Sequence, residues 1–215
     1  MIPKKLHYIW LGGEKTLLTQ KCLDSFNKYL DDYEVVEWNE SNIEYDKYTE
    51  CLKKYYEKWY SHGMFAFCSD IARLYILSFN GGLYADADVE FIKHMPDCFI
   101  EKPLIARSSY HNGTVCNGCV WGCNKDDRLV LALIRWFDNH LQIAGDLYGK
   151  TWVFNTILMR FFELFGDNVG SNSIDDFHGY NVFPVDYFCA KNRYTGELSI
   201  TNNTISICHF AGSWH

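Results

Sequence analysis

At 215 residues, with 48% hydrophobic and 22% charged side chains, the chain is long enough for one globular domain with a substantial core. Its net charge of −7 excludes the basic field that holds a nucleic-acid backbone, and no window reaches the roughly 18 consecutive apolar residues of a membrane span. An acidic protein still accommodates a diphosphate when a divalent cation screens the repulsion.

Residues 5–11 (KLHYIWL) form an apolar, aromatic run closed by Gly12 and Gly13, which predicts a buried first strand ending in a loop. Residues 16–30 carry Leu17, Leu18, Cys22, Leu23 and Phe26 at helical spacing, and residues 33–38 (YEVVEW) read as a second strand. A helix is predicted over 46–59, and another over 63–80 with Phe67, Ile71, Leu74 and Leu77 on its apolar face and Gly81-Gly82 as its stop. Residues 83–92 (LYADADVEFI) read as one continuous strand, with further strands over 104–107 and 115–122. Asp126-Asp127 caps a helix reaching Ala144 whose Leu129, Leu133 and Trp136/Phe137 face the core. A last helix is predicted over 151–165, a tight turn at Tyr194-Thr195-Gly196-Glu197, and a final strand over 204–210. Strand and helix alternate and no repeat or linker interrupts them. The pattern predicts a single α/β domain over 1–215 with a largely parallel sheet.

The sharpest motif is Asp86-Ala87-Asp88. On a strand the two carboxylates would share one side while Ala87 points away. They repel unless water or a cation lies between them, and Mg²⁺ or Mn²⁺ prefers such oxygen ligands. That cation would stabilise charge on a leaving diphosphate. The bare tripeptide is common by chance; its context sharpens it. Asp70 and Arg73, three apart, share one face of the preceding helix, which is otherwise apolar almost all round.

The stretch from Phe67 to Glu90, FCSDIARLYILSFNGGLYADADVE, resembles the signature of glycosyltransferases with the DXD sugar-binding motif: family 32, its relatives, and the catalytic domains of the large clostridial glucosylating toxins. Ser-Asp-x-x-Arg, an apolar helix, Gly-Gly-x-Tyr and Asp-x-Asp all occur at the expected spacing. The resemblance implies a GT-A fold, with a Rossmann-like, mostly parallel central sheet flanked by helices. It implies base stacking on Trp10, metal ligation by Asp88, and contact of Asp86 with ribose or, through water, the metal. Asp70 and Arg73 would hold donor sugar hydroxyls, and Asn117 is a candidate sugar contact. The tail His209-Phe-Ala-Gly-Ser213-Trp214 resembles the family's closing segment, with His209 or Ser213 completing the metal site and Trp214 contacting the leaving group. The family's Thr-Gly-Pro before a later helix is replaced here by Gly149-Lys150-Thr151. The implied activity is a retaining, hexosyltransferase-type transfer using Mn²⁺ or Mg²⁺. The implied donor is a nucleotide-sugar, UDP-sugar ahead of GDP-sugar, and the acceptor a glycan or lipid-linked oligosaccharide of bacterial surface polysaccharide synthesis. The alternatives are an inactive nucleotide-sugar-binding module and a sugar-nucleotide pyrophosphorylase-like enzyme; the basic phosphate loop of the latter is absent from Leu11-Gly12-Gly13-Glu14.

Nine cysteines and an N-terminus without a signal peptide's apolar stretch lead to the expectation of reduced thiols in a cytoplasmic protein, with peripheral association at the inner face of the membrane. Cys116, Cys119 and Cys123 hint at zinc or an iron–sulfur cluster, but sit in an apolar run with no fourth ligand at a recognisable spacing. They are read as small buried hydrophobes.

Overall fold

The computed structural model describes residues 1–109, 114–144, 153–166 and 171–212. Within them the chain order is β1 (Lys5–Ile9), α1 (Leu17–Tyr29), β2 (Glu34–Trp38), α2 (Glu50–Ser61), α3 (Phe65–Asn80), β3 (Gly82–Tyr84) and β4 (Val89–Phe91). There follow β5 (Leu104–Arg107), β6 (Val115–Cys123), α4 (Arg128–Ala144), α5 (Val153–Leu164), β7 (Asp175–Phe177), β8 (Tyr180–Phe183), α6 (Val185–Phe188) and β9 (Ser206–Cys208). Seven strands form the main sheet in the order β2-β1-β3-β6-β5-β8-β7, and β4 pairs with β9 in a separate ribbon.

Strand alternation divides the core. Ile9, Tyr84, Ile105 and Trp121 face α2, α3, α4 and α5. Leu6, Leu83, Leu104 and Val120 face the opposite way, onto Leu23 and Phe26 of α1 and Phe188 of α6. Helices therefore cover both faces, the α/β arrangement expected. The sheet is mixed rather than mostly parallel: β1–β2, β1–β3 and β5–β8 run parallel, while β3–β6, β5–β6 and β7–β8 run antiparallel. Both neighbours of β6 run against it, so the sheet reverses at its centre.

Local chemistry sets the helix ends. Thr16 Oγ1 accepts from Thr19 N and starts α1. Leu17, placed on the apolar face by its spacing, is exposed. The helix expected over 46–59 is a short 3₁₀ turn (Tyr45–Lys47) followed by α2, because Thr49 caps the later start by accepting from Leu52 N. Asp127 Oδ1 accepts from Leu129 N and Val130 N and caps α4. Gly81, at φ +64°, ends α3, and a Cβ there would lie 2.7 Å from Lys125 N. The β7–β8 hairpin, which no expectation covered, turns on His178 and Gly179, both at positive φ.

The strand expected over 83–92 is broken. β3 ends at Tyr84, Val89 N donates to Asp86 O across a turn, and β4 leaves for the ribbon with β9. The DXD motif is this turn, at the point where the chain leaves the main sheet.

Candidate active site

A cleft opens at the ends of β1 and β3 and the start of α3. Its walls include Trp10, Phe65, Ser69, Arg73, Asp86 and Asp88. It lies beyond the C-terminal ends of two parallel strands, where open α/β sheets place their ligands.

Arg73 is the hub. It is 4% exposed, its Nε donates to Ser69 O, and its guanidinium sits 4.7 Å from the centre of the Tyr84 ring. Nη2 lies 3.3 Å from Asp70 Oδ1, and Nη1 3.2 Å from Asp86 Oδ1. Burial opposes the charge, but Asp86 foremost, with Tyr84 and Asp70, raises the Arg73 pKa, so the group stays ionised. Nη1 is not aligned for a hydrogen bond with Asp86 and has no such partner among the described residues. A buried guanidinium N–H in the wall of a cleft is a strong anchor for an anion or a sugar oxygen.

Asp86 also accepts from the Tyr84 hydroxyl at 2.8 Å, and its N–H donates to Gly118 O at 2.8 Å. Gly118 lies in an excursion of β6. Ile105 pairs with Trp121 but Ala106 pairs with Cys116, so residues 117–120 leave the ladder. A Cβ on Gly118 would lie 2.0 Å from Asp86 Oδ2, so only glycine leaves room for that carboxylate. Asp88 is fixed from the far end of the chain: its Oδ2 accepts from Ala211 N and its carbonyl accepts from His209 N. Burial, then the charge of Asp86, pushes the Asp88 carboxyl up to about 6. Two carboxylates crowded into a cleft, one already reluctant to ionise, fit a divalent cation: it relieves their repulsion and accepts their oxygens.

The turn, rather than strand alternation, brings Asp86 and Asp88 together on the cleft. Trp10 is there too, its Nε1 donating to Gly13 O. Two expected residues are placed differently. Asp70 is not among the cleft-lining residues and reaches the cleft through Arg73. His209 Nε2 bonds Glu90 Oε2 at 2.7 Å, with Lys21 on the same oxygen at 2.8 Å, so that nitrogen is already committed to Glu90. The side chain of Asn117, and Ser213 and Trp214, lie outside the described residues. Tyr84, Gly118 and the Ala211 N–H were not anticipated. Tyr84 stands in the Gly-Gly-x-Tyr element and was legible there, whereas the other two act through backbone position.

Residues 18–110, which hold Arg73, Asp86 and Asp88, match the family described as the glycosyltransferase sugar-binding region containing the DXD motif. This segment is similar to the DXD-type sugar-binding region. No curated protein matches the chain in sequence. Among solved structures, the PaToxG glycosyltransferase is similar at 18% identity with a TM-score of 0.57, over 76% of this chain and 69% of its own. The UDP-bound glycosyltransferase domain of the YGT toxin is similar at 13% identity and TM-score 0.52, over 78% and 68%. A transferase mutant is similar at 10% identity and TM-score 0.53, over 83% and 91%. The mixed sheet with its flanking helices is the GT-A architecture, and the sugar-binding region lies at its cleft.

Proposed function

We propose that the chain is a single-domain, divalent-metal-dependent glycosyltransferase that takes its sugar from a nucleotide-sugar, with UDP-sugars ahead of GDP-sugars. The observation that carries this reading is the grouping in one cleft, beside Trp10, of Asp86, Asp88 and an Arg73 N–H that has no hydrogen-bond partner among the described residues. Asp88 ligates Mn²⁺ or Mg²⁺ directly, and Asp86 assists through water or binds the ribose. The cation supplies positive charge to the leaving diphosphate. Trp10 stacks on the base. Arg73 offers Nη1 to the donor, and Asp70 keeps the guanidinium in place. Asn117, Ser213 and Trp214 are candidate further contacts, with Ser213 the better candidate for a third metal ligand because His209 is committed to Glu90. None of the acidic side chains lining the cleft is free of a metal or guanidinium role, so no covalent nucleophile is assigned. Retention is carried over from the resemblance, and front-face attack, with the leaving phosphate taking the acceptor's proton, is the step that accommodates it. The acceptor is a glycan or lipid-linked oligosaccharide, and no helix among the described residues is long and apolar enough to cross a membrane. Attachment to the inner membrane face would be peripheral, and the compartment cytoplasmic.

The test is a hydrolysis screen of nucleotide-sugars with Mn²⁺. At least one donor should be cleaved to its nucleoside diphosphate, the activity should vanish with EDTA, and added Mn²⁺ or Mg²⁺ should restore it. Full turnover in thoroughly chelated protein would overturn the metal assignment.

A further inference from the structure

Three of the nine cysteines, Cys119, Cys189 and Cys208, meet in one place although they are scattered in sequence, and a fourth, Cys116, packs against the same core cluster. The Sγ atoms of Cys119, Cys189 and Cys208 lie within 4.8 Å of one another, all three residues buried. The Cys119 thiol is within hydrogen-bonding reach of Cys189, Cys208 and also Cys116. Cys123 does not join them; it packs in the other core cluster, against the helices of the opposite face.

The way Cys116 and Cys119 meet is informative. Residues three apart on a straight strand point to opposite faces. Here the excursion of β6 at 117–120 breaks that alternation, and both cysteines sit at the same core cluster. A Cys-x-x-Cys loop is how a backbone presents two thiolates to one cation. At Cys189 the thiol donates to Ser108 Oγ at 3.7 Å, so a polar group stands beside this sulfur as well.

We propose that Cys116, Cys119, Cys189 and Cys208 form a tetrathiolate site for Zn²⁺, separate from the cleft cation. In such a site each Zn–S bond is about 2.3 Å, which puts neighbouring sulfurs about 3.8 Å apart. The observed spacing of three of them, under 4.8 Å, needs only rotamer-scale adjustment. Each thiol gives its proton to solvent as its Zn–S bond forms, with no change of oxidation state. The role is structural: all four positions are filled by protein, leaving none for substrate. The ion would join β6, the segment after α6 and β9, whose Cys208 pairs with Val89 next to Asp88.

The test reads metal rather than activity. The full chain, purified without a polyhistidine tag and dialysed against EDTA, should retain one equivalent of zinc while losing Mn²⁺. Replacing the zinc with Co²⁺ should give the intense near-ultraviolet thiolate-to-metal band and the visible bands of a tetrahedral sulfur site. Cys119→Ser should lower retained zinc about tenfold or more, and Cys123→Ser should leave it unchanged. If Cys119→Ser does not fold, mercurial titration of the unaltered chain decides: zinc release should track modification of four thiols. Failure of the unaltered chain to hold zinc or cobalt, a cobalt spectrum without the sulfur band, or equal zinc in Cys119→Ser and wild type would each overturn the assignment.

Discussion

Gly118→Ala tests the site most directly, because it adds one methyl group beside the DXD motif and alters no charge. The new Cβ would lie 2.0 Å from Asp86 Oδ2, 2.9 Å from Asp86 Cγ and 3.2 Å from Arg73 Nη1. To reach the ordinary contact distance of 3.4 Å the carboxylate oxygen must retreat by about 1.4 Å. The end of an aspartate side chain can swing that far, but only by leaving Arg73 and the Tyr84 hydroxyl. A hydrogen bond or contact to a charged group contributes about 1.5–3 kcal/mol, so transition-state stabilisation should fall by about ten- to a hundred-and-fifty-fold in kcat/KM. Stability should fall as well, because the same displacement takes a charged partner from buried Arg73 and an acceptor from Tyr84, although the Gly118 backbone itself lies outside the positive-φ region and accepts alanine. The assays are donor hydrolysis with Mn²⁺, calorimetry of nucleoside diphosphate binding, and a thermal melt. Gly122→Ala is the control: its Cβ would lie 2.5 Å from Leu83 Cδ2, so it should destabilise the core without touching the carboxylates. Wild-type kcat/KM in a fully folded Gly118→Ala enzyme would refute the claim that Asp86 must hold its present position.

Two further predictions concern charge. Asp88→Asn removes the proposed direct metal ligand and should weaken Mn²⁺-dependent binding of both nucleoside diphosphate and nucleotide-sugar, whereas Asp70→Asn, which only loosens Arg73, should lower turnover about tenfold with diphosphate affinity nearly unchanged; equal losses of affinity in calorimetry would remove Asp70 from its positioning role. His7 should make the fold acid-labile. It is buried, its Nδ1 accepts from Trp38 Nε1 and its Nε2 donates to Gly81 O, so the neutral ring is fully used. Burial depresses its pKa from 6.5 to about 4. The unfolded chain therefore binds the proton first as pH falls: the full contribution is present above pH 6.5 and is lost progressively toward pH 4, reaching about 2 kcal/mol by pH 5. Urea midpoints of wild type and His7→Gln across this range check it, and parallel pH slopes would rule it out.

Much of this was legible in residue patterns, and the failures share a cause. Apolar runs and capping residues such as Thr16, Asp127 and Gly81 located most strands and helices, because those signals act within one turn of chain. The Ser-Asp-x-x-Arg and Asp-x-Asp spacings located the cleft, since one helix and the strand after it carry both. What spacing does not encode is which strands become neighbours. Residues 83–92 alternate like one strand, yet pairing with β9 takes Val89–Phe91 into a separate ribbon, and that turns the motif into a corner. His209 faces Glu90 because β9 runs antiparallel beside β4. Cys189 and Cys208 join Cys119 across distances in sequence at which no ligand spacing is recognisable.

The bond between Ala211 N and Asp88 spans 123 positions of the chain. Synthesis runs from the N-terminus, so Arg73, Asp86 and Asp88 leave the ribosome long before the strand that holds Asp88 in place exists. Closing so long a loop is entropically costly and comes late in folding. A nascent chain stalled before residue 206 would already have the main-sheet wall of the cleft but would lack β9 and the Ala211 N–H. The corner that carries Asp88 would then be set only once β9 and Ala211 have been made and have paired with β4 and Asp88.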